Sequence, residues 1–134
     1  MPTRAAFEYA IVRVVPRVER EEFVNAGAIV LCEARDFLAA RIELDETRLR
    51  ALAPDVDLAL VHEHLEAIPR ICAGGPEAGP IGQLPRRERF YWLVSPRSTI
   101  LQTSPAHAGL CDAPELELER LLRTMVRTPY TSAT

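Results

Sequence analysis

The sequence predicts a single α+β domain, in which a mostly antiparallel sheet of about four strands is packed by three to four helices. Three observations predict it. Two β-rich runs, Tyr9–Val15 and Ala28–Cys32, flank a charged connector near the N-terminus. Leu58, Val61, Leu65, Ile68 and Cys72 recur at helical spacing further along. A length of 134 residues holds one core and is too short for two ordinary domains. The domain is therefore assigned residues 1–134, with an ordered core over 7–127 and a loose tail over 128–134.

Each element follows from local pattern. In Tyr9–Val15, Tyr9, Ile11, Arg13 and Val15 alternate with Ala10, Val12 and Val14, which sets register in a strand. Pro16 removes a ladder donor and ends it. The connector Arg17–Glu22 is charged throughout. Asn25 and Gly27, at the start of the next run, suggest a bulge or a left-handed position. Ala28–Cys32 is apolar on both faces, as a central strand covered on both sides requires. Phe37–Leu44 alternates again and gives a third strand, which makes a meander. Asp45 opens a short helix through about Leu52, and Pro54 stops it. Asp55 is placed to cap a longer helix over Val56–Cys72, with Leu60 and Ile71 widening its apolar stripe and Pro69 disturbing its last turns. Gly74–Pro85 reads as a loop. Arg86–Val94 reads as a helix started at Pro85, with a strand as the competing assignment for its aromatic half. Thr99–Ser104 is the fourth strand, closed by Pro105. Asp112 and Glu115 have the spacing of a capping box ahead of a final helix, with Leu118, Leu121, Leu122 and Met125 inward.

Composition narrows the function classes. An apolar share of 48% beside 26% charged residues is that of a soluble globular chain, and no apolar run is long enough to span a membrane. Cys32, Cys72 and Cys111 are odd in number and widely spaced, which fits buried thiols and matches neither a disulfide framework nor a zinc motif. With no apolar leader before a cleavage site, a cytoplasmic location is expected. Every basic residue is arginine, a pattern of GC-rich coding, with selection for guanidinium chemistry as the competing reading. A net charge of −3 gives no global attraction for nucleic acid or an anionic membrane.

Three constellations bear on chemistry. His62, Glu63, His64 and Glu66 suggest metal ligation, but His62 and His64 lie about 200° apart on a helix and cannot share an ion. No metal site and no cofactor fingerprint is expected, with His62 on the solvent side beside Glu66 and His64 half-buried. Arg86, Arg87 and Arg89 crowd the positive end of a helix, so an acidic group of this chain or of a partner should face them. The least ordinary stretch is Ser95–Leu110. Arg97, Ser98, Thr99, Gln102, Ser104 and His107 supply donors, acceptors and an imidazole within one short segment. Turn chemistry accounts for many such groups. As a ligand site, Asn25, Arg97, Ser98, Thr99, Gln102 and His107 are the candidates, with His107 and Ser98 the candidate catalytic pair. No nucleophile elbow accompanies any serine of the segment, which weighs against an enzyme.

Four of these motifs occur in the order of a known family. Tyr9–Pro16, Glu22–Gly27, Pro96–Thr99 and Ser104–Gly109 resemble the bacterial family catalogued as domain of unknown function 3037, over about Phe7 to Leu122. The resemblance implies no settled activity. It implies a possible association with HipA-like kinase proteins, and thus an accessory or interaction domain serving such a kinase. The alternative is a domain binding or acting on a phosphorylated or nucleotide-like molecule through Arg97, Ser98 and His107. A second copy of the chain is a further candidate partner; nucleic acid is disfavoured and a membrane is not expected.

Overall fold

Ten residues of nearly continuous apolar and β-prone sequence make strand β1 (Ala5–Val14), the spine of the sheet. The computed structural model describes residues 4–97 and 99–128. Strands β2 (Val24–Cys32) and β3 (Phe37–Ile42) follow as the expected meander. β4 (Leu101–Thr103) and β5 (His107–Cys111) share the other edge of β1, one beside each half of it. The order is β3-β2-β1-β4, with β5 also on β1, and every pairing is antiparallel. The α+β class thus stands as expected, with five strands among the described residues in place of about four.

The added strand is β5. Pro105 interrupts the edge without ending it. From the Val12–Thr103 pair to the Tyr9–His107 pair, β1 advances three residues and its neighbour four. Ser104 bridges the mismatch. Its N–H donates to the Ile11 carbonyl at 2.9 Å, and its Oγ accepts from the Ile11 N–H at 2.9 Å. A side-chain oxygen here replaces a ladder carbonyl, at an edge where proline is tolerated. Ser104 is accordingly buried.

A second irregularity sits where Asn25 and Gly27 predicted one. Register slips between Val12–Gly27 and Arg13–Asn25, leaving Ala26 as the extra residue. The bulge inverts side-chain parity, so Val24 and Ala26 join Ile29 and Leu31 on one face. Gly27 is required by close approach: a Cβ there would lie 2.6 Å from the Arg41 carbonyl oxygen.

The sheet is covered on both faces, as the apolar β2 predicted. On one face Val12, Val14, Ile29 and Leu31 meet helices α1 (Glu46–Leu52), α2 (Leu58–Ala73) and α4 (Arg86–Leu93) through Leu49, Val61, Leu65, Ile68, Phe90 and Leu93. On the other, Phe7, Ile11, Val30 and Cys32 meet Leu118 and Leu121 of α5 (Pro114–Leu121), the helix after α3 (Gly79–Gly82) and α4. Among the described residues, five α-helices therefore replace the three to four expected.

Local details correct several expectations. Asp45 caps α1 as expected, but α2 is capped by Asp57, whose carboxylate accepts from the Leu60 N–H at 3.1 Å. Asp55 instead approaches Arg17. Gly74–Pro85 is helical in part, with a 3₁₀ turn at Pro76–Ala78 before α3. The Asp112 capping box does not form: Ala113 is the cap, and no side chain serves it. Met125 is exposed, because Leu122–Val126 widens into a π-helical turn that rotates it out of register. Leu60 is exposed too, so the stripe of α2 is narrower than expected. Residues 129–134 of the anticipated tail lie outside the described residues. No helix among the described residues is long and apolar enough to cross a membrane.

Candidate functional site

A cleft of about 420 Å³ opens between α2 and the β4 edge. Its apolar lining is Ile68 and Ile71 of α2, Trp92 and Leu93 of α4, and Leu101 of β4. Each arrives there for a local reason. Ile68 belongs to the buried stripe of α2 and Ile71 packs beside it, while at the end of α4 Leu93 enters the core and Trp92 stays exposed. Polar groups ring this floor: Glu63, His64 and Arg70 from α2, and Arg97, Thr99, Gln102 and Thr103 from the connection and β4.

Arg97 is the best-held member of the rim. It donates to the carbonyls of Leu93 (2.9 Å) and Trp92 (2.6 Å), closing the C-terminal end of α4. Its guanidinium carbon lies 4.4 Å from the Trp92 ring centroid. Unpaired helix carbonyls carry the negative end of the macrodipole, so a cation is favoured there. Thr99 donates its hydroxyl to the Leu101 carbonyl at 2.8 Å, and Gln102 donates its amide to the Thr99 carbonyl at 3.0 Å. Those bonds shape the turn, and both residues line the cleft.

The candidate residues separate into two groups. Arg97, Thr99 and Gln102 come together at the cleft. His107 does not line it; it sits on β5 opposite Tyr9, its ring 5.3 Å from the tyrosine ring. Asn25 faces the α5 side and donates to the Met125 carbonyl at 2.9 Å, tying β2 to the π-helical turn. Ser98 lies outside the described residues. The acid–base candidate therefore stands away from the arginine it was expected to serve.

The arginine cluster of α4 faces acceptors of this chain. Arg86 approaches Glu33 and Asp36, each at 3.4 Å. Arg87 approaches Glu8 at 3.4 Å and donates to the Tyr91 hydroxyl, which itself donates to Glu8. That bond to Glu8 pushes the Tyr91 phenol above its usual range. Arg89 turns inward and donates to the carbonyls of Ile71 (2.9 Å), Cys72 (2.7 Å) and Leu84 (3.0 Å). The acidic counterparts demanded by the helix dipole are thus carboxylates of β1 and the β2–β3 turn.

With the geometry in place, comparison with known proteins adds one result. The family described as "Protein of unknown function (DUF3037)" matches residues 9–126. The chain belongs to this family. No curated protein and no solved structure matches. The family match runs from the first strand to the π-helical turn, so it takes in the cleft and both faces of the sheet.

Within this family domain, some site residues carried no usable signal in the sequence. His64 is exposed on the cleft rim, where a half-buried position was expected, and His62 pairs with Glu46 at 2.6 Å. Arg70 has no distinguishing pattern in the sequence, and Glu63 stands out only as part of the His62–Glu66 cluster, until α2 is laid beside β4. Arg13 was the detectable one, as an arginine inside an otherwise apolar strand segment.

Proposed function

We propose that the chain is a non-catalytic binding domain whose cleft between α2 and β4 recognises a small, nucleotide-like molecule with a flat apolar body and an anionic group. The supporting observation is the cleft itself. Its volume of about 420 Å³ falls in the range of small-molecule sites, and an apolar floor is bordered by the guanidinium groups of Arg70 and Arg97. Trp92 offers an aromatic surface and is 40% exposed. Arg97 is already held by two carbonyls, so it orients a ligand without losing much side-chain freedom. Catalysis has weaker support, because His107 lies off the cleft.

Trp92 is the single tryptophan, so its fluorescence reports on the cleft directly. Titration with adenosine monophosphate, and with the anionic apolar dye anilinonaphthalene sulfonate, should give a saturable change. Ala67→Phe narrows the cleft from the α2 wall and should abolish it. Absence of saturation by either probe up to roughly millimolar concentration refutes the reading.

A protein-binding role draws on another surface. Leu110 on β5 is 58% exposed on the α4 side of the sheet, on a strand whose outer edge is open. An accessory domain for a HipA-like kinase would use this face. Co-purification with such a kinase, lost on Leu110→Glu, is the expected result. Unchanged capture by that variant removes the face from consideration.

A further inference from the structure

Arg13 sits where chain chemistry gives no reason for a charge. Its neighbours along the chain, Ile11, Val12, Val14 and Val15, are all buried and apolar. It pairs across the sheet with Asn25 on β2 and with Gln102 on β4. Its guanidinium carbon lies 4.2 Å from the centroid of the Phe23 ring, so the planar group rests on an aromatic face. Its Nε is buried and has no hydrogen-bond partner among the described residues. Arg86, Arg87, Arg89, Arg97 and Arg127 all reach carboxylates or carbonyls. Arg13 reaches neither among the described residues.

Leaving the Nε donor buried without an acceptor is unfavourable, while the side chain as a whole is half-exposed. The same arrangement suits a ligand that brings the acceptor. A guanidinium fixed on a ring has lost its rotamer freedom in advance, and its planar fork matches the oxygens of a phosphate. The space for that ligand is present. Arg13 lines a second cleft of about 560 Å³, on the far side of β4, with Arg97, Gln102 and Phe23.

We infer that Arg13, with Arg97 and Gln102 beside it, forms a phosphate-binding site for a small phosphorylated molecule. The outer wall of this cleft carries Glu19 and Glu21, both exposed. Two arginines and two glutamates leave the cleft without a strong net field. Affinity then comes from directed hydrogen bonds to Arg13 more than from bulk attraction, and removing the glutamate charges should strengthen it. The site adjoins the α2–β4 cleft through Arg97 and Gln102, yet it depends on Arg13 and stands whether or not that cleft is filled.

The test uses the full chain, nitrogen-labelled, with inorganic phosphate as probe and sodium chloride at equal ionic strength as control. Phosphate should shift the Arg13 Nε–H and Gln102 amide signals in NMR spectra saturably, with roughly millimolar affinity. Chloride should not. Glu19→Gln with Glu21→Gln should tighten binding, and Arg13→Lys, which keeps charge and loses the fork, should weaken it about tenfold or more. Ala67→Phe, which fills the α2–β4 cleft, should leave phosphate binding unchanged, so the two proposals fail separately. An absent or non-saturable shift in the wild-type chain, or the same shift with chloride, overturns the inference even if Arg13→Lys does not fold.

Discussion

Replacing Arg89 by methionine tests whether the arginine cluster of α4 is structural. The side chain keeps its apolar stem and loses three donated bonds, to Ile71 at 2.9 Å, Cys72 at 2.7 Å and Leu84 at 3.0 Å. Two of those acceptors are the last carbonyls of α2, which have no partner in the helix. At about 1 kcal/mol net for each bond, and somewhat more for a charged donor, the loss totals about 3–4 kcal/mol. Solvent reaches this partly buried site and returns some of it, leaving about 2–4 kcal/mol. For a domain of this size that lowers the melting temperature by roughly 10 °C. Urea unfolding followed by circular dichroism measures it. A second readout is local: burial pushes the Cys72 thiol up to about 12, so it stays protonated and unreactive while α2 is closed. In Arg89→Met, site-resolved alkylation of Cys72 should accelerate through opening of the helix end. A stability change below about 0.5 kcal/mol, the usual range for surface substitutions, refutes the bracing role.

Three further outcomes are expected. Ser104→Ala should cost roughly 1–3 kcal/mol, because the buried Ile11 N–H loses its acceptor; denaturant unfolding at wild-type midpoint counts against the bridging role. Arg97→Ala should cost about 1–3 kcal/mol through the Leu93 and Trp92 carbonyls, and a wild-type melting temperature would show that the brace is unimportant. Acid should loosen the C-terminal turn: hydrogen bonds from Arg127 hold the Glu43 and Glu119 carboxyls below their usual range. Groups with lowered folded values contribute stability above their unfolded values and lose it as pH falls through the folded ones. Amide exchange at Leu122–Val126 should therefore rise below about pH 4, and Arg127→Ala should remove that dependence. Pair exposure to solvent makes the effect modest.

The parts of the fold that were legible in the sequence are those decided by neighbours in the chain. Asp45 caps its helix by accepting from the N–H three residues on, Val61, Leu65 and Ile68 repeat along one face, and β2 is apolar on both sides because both are covered. The same locality explains why Arg97, Thr99 and Gln102 were found together. What stayed hidden depends on distant partners. His107–Cys111 lacks β-branched residues and is mostly exposed, so only its pairing with Ala5–Tyr9 makes it a strand. Ser104 acts on Ile11, far off along the chain. Asp55 and Asp57 stand equally well before an apolar run, and the turn between them decides which one caps. The α2 side of the cleft depended on how that helix crosses the sheet, which periodicity does not encode.

The two clefts share a physical origin in the shortness of β4. A three-residue strand beside Val12–Val14 leaves the connection from α4 without a ladder, so its backbone must be satisfied by side chains. Arg97, Thr99 and Gln102 do that on one side of the break, and Ser104 does it on the other. Each is held with a polar atom or a face turned outward, which is what separates a turn from a binding surface. Arg13 has no such internal duty. Val14 and Val12 on either side of it face the helices, so strand alternation turns Arg13 toward the opposite face, beside Phe23 and away from the α2–β4 cleft. The turn residues would keep their partners in a chain that bound nothing. Among the described residues the guanidinium of Arg13 reaches no carboxylate or carbonyl, which makes Arg13 the residue that discriminates a binding domain from a purely structural one.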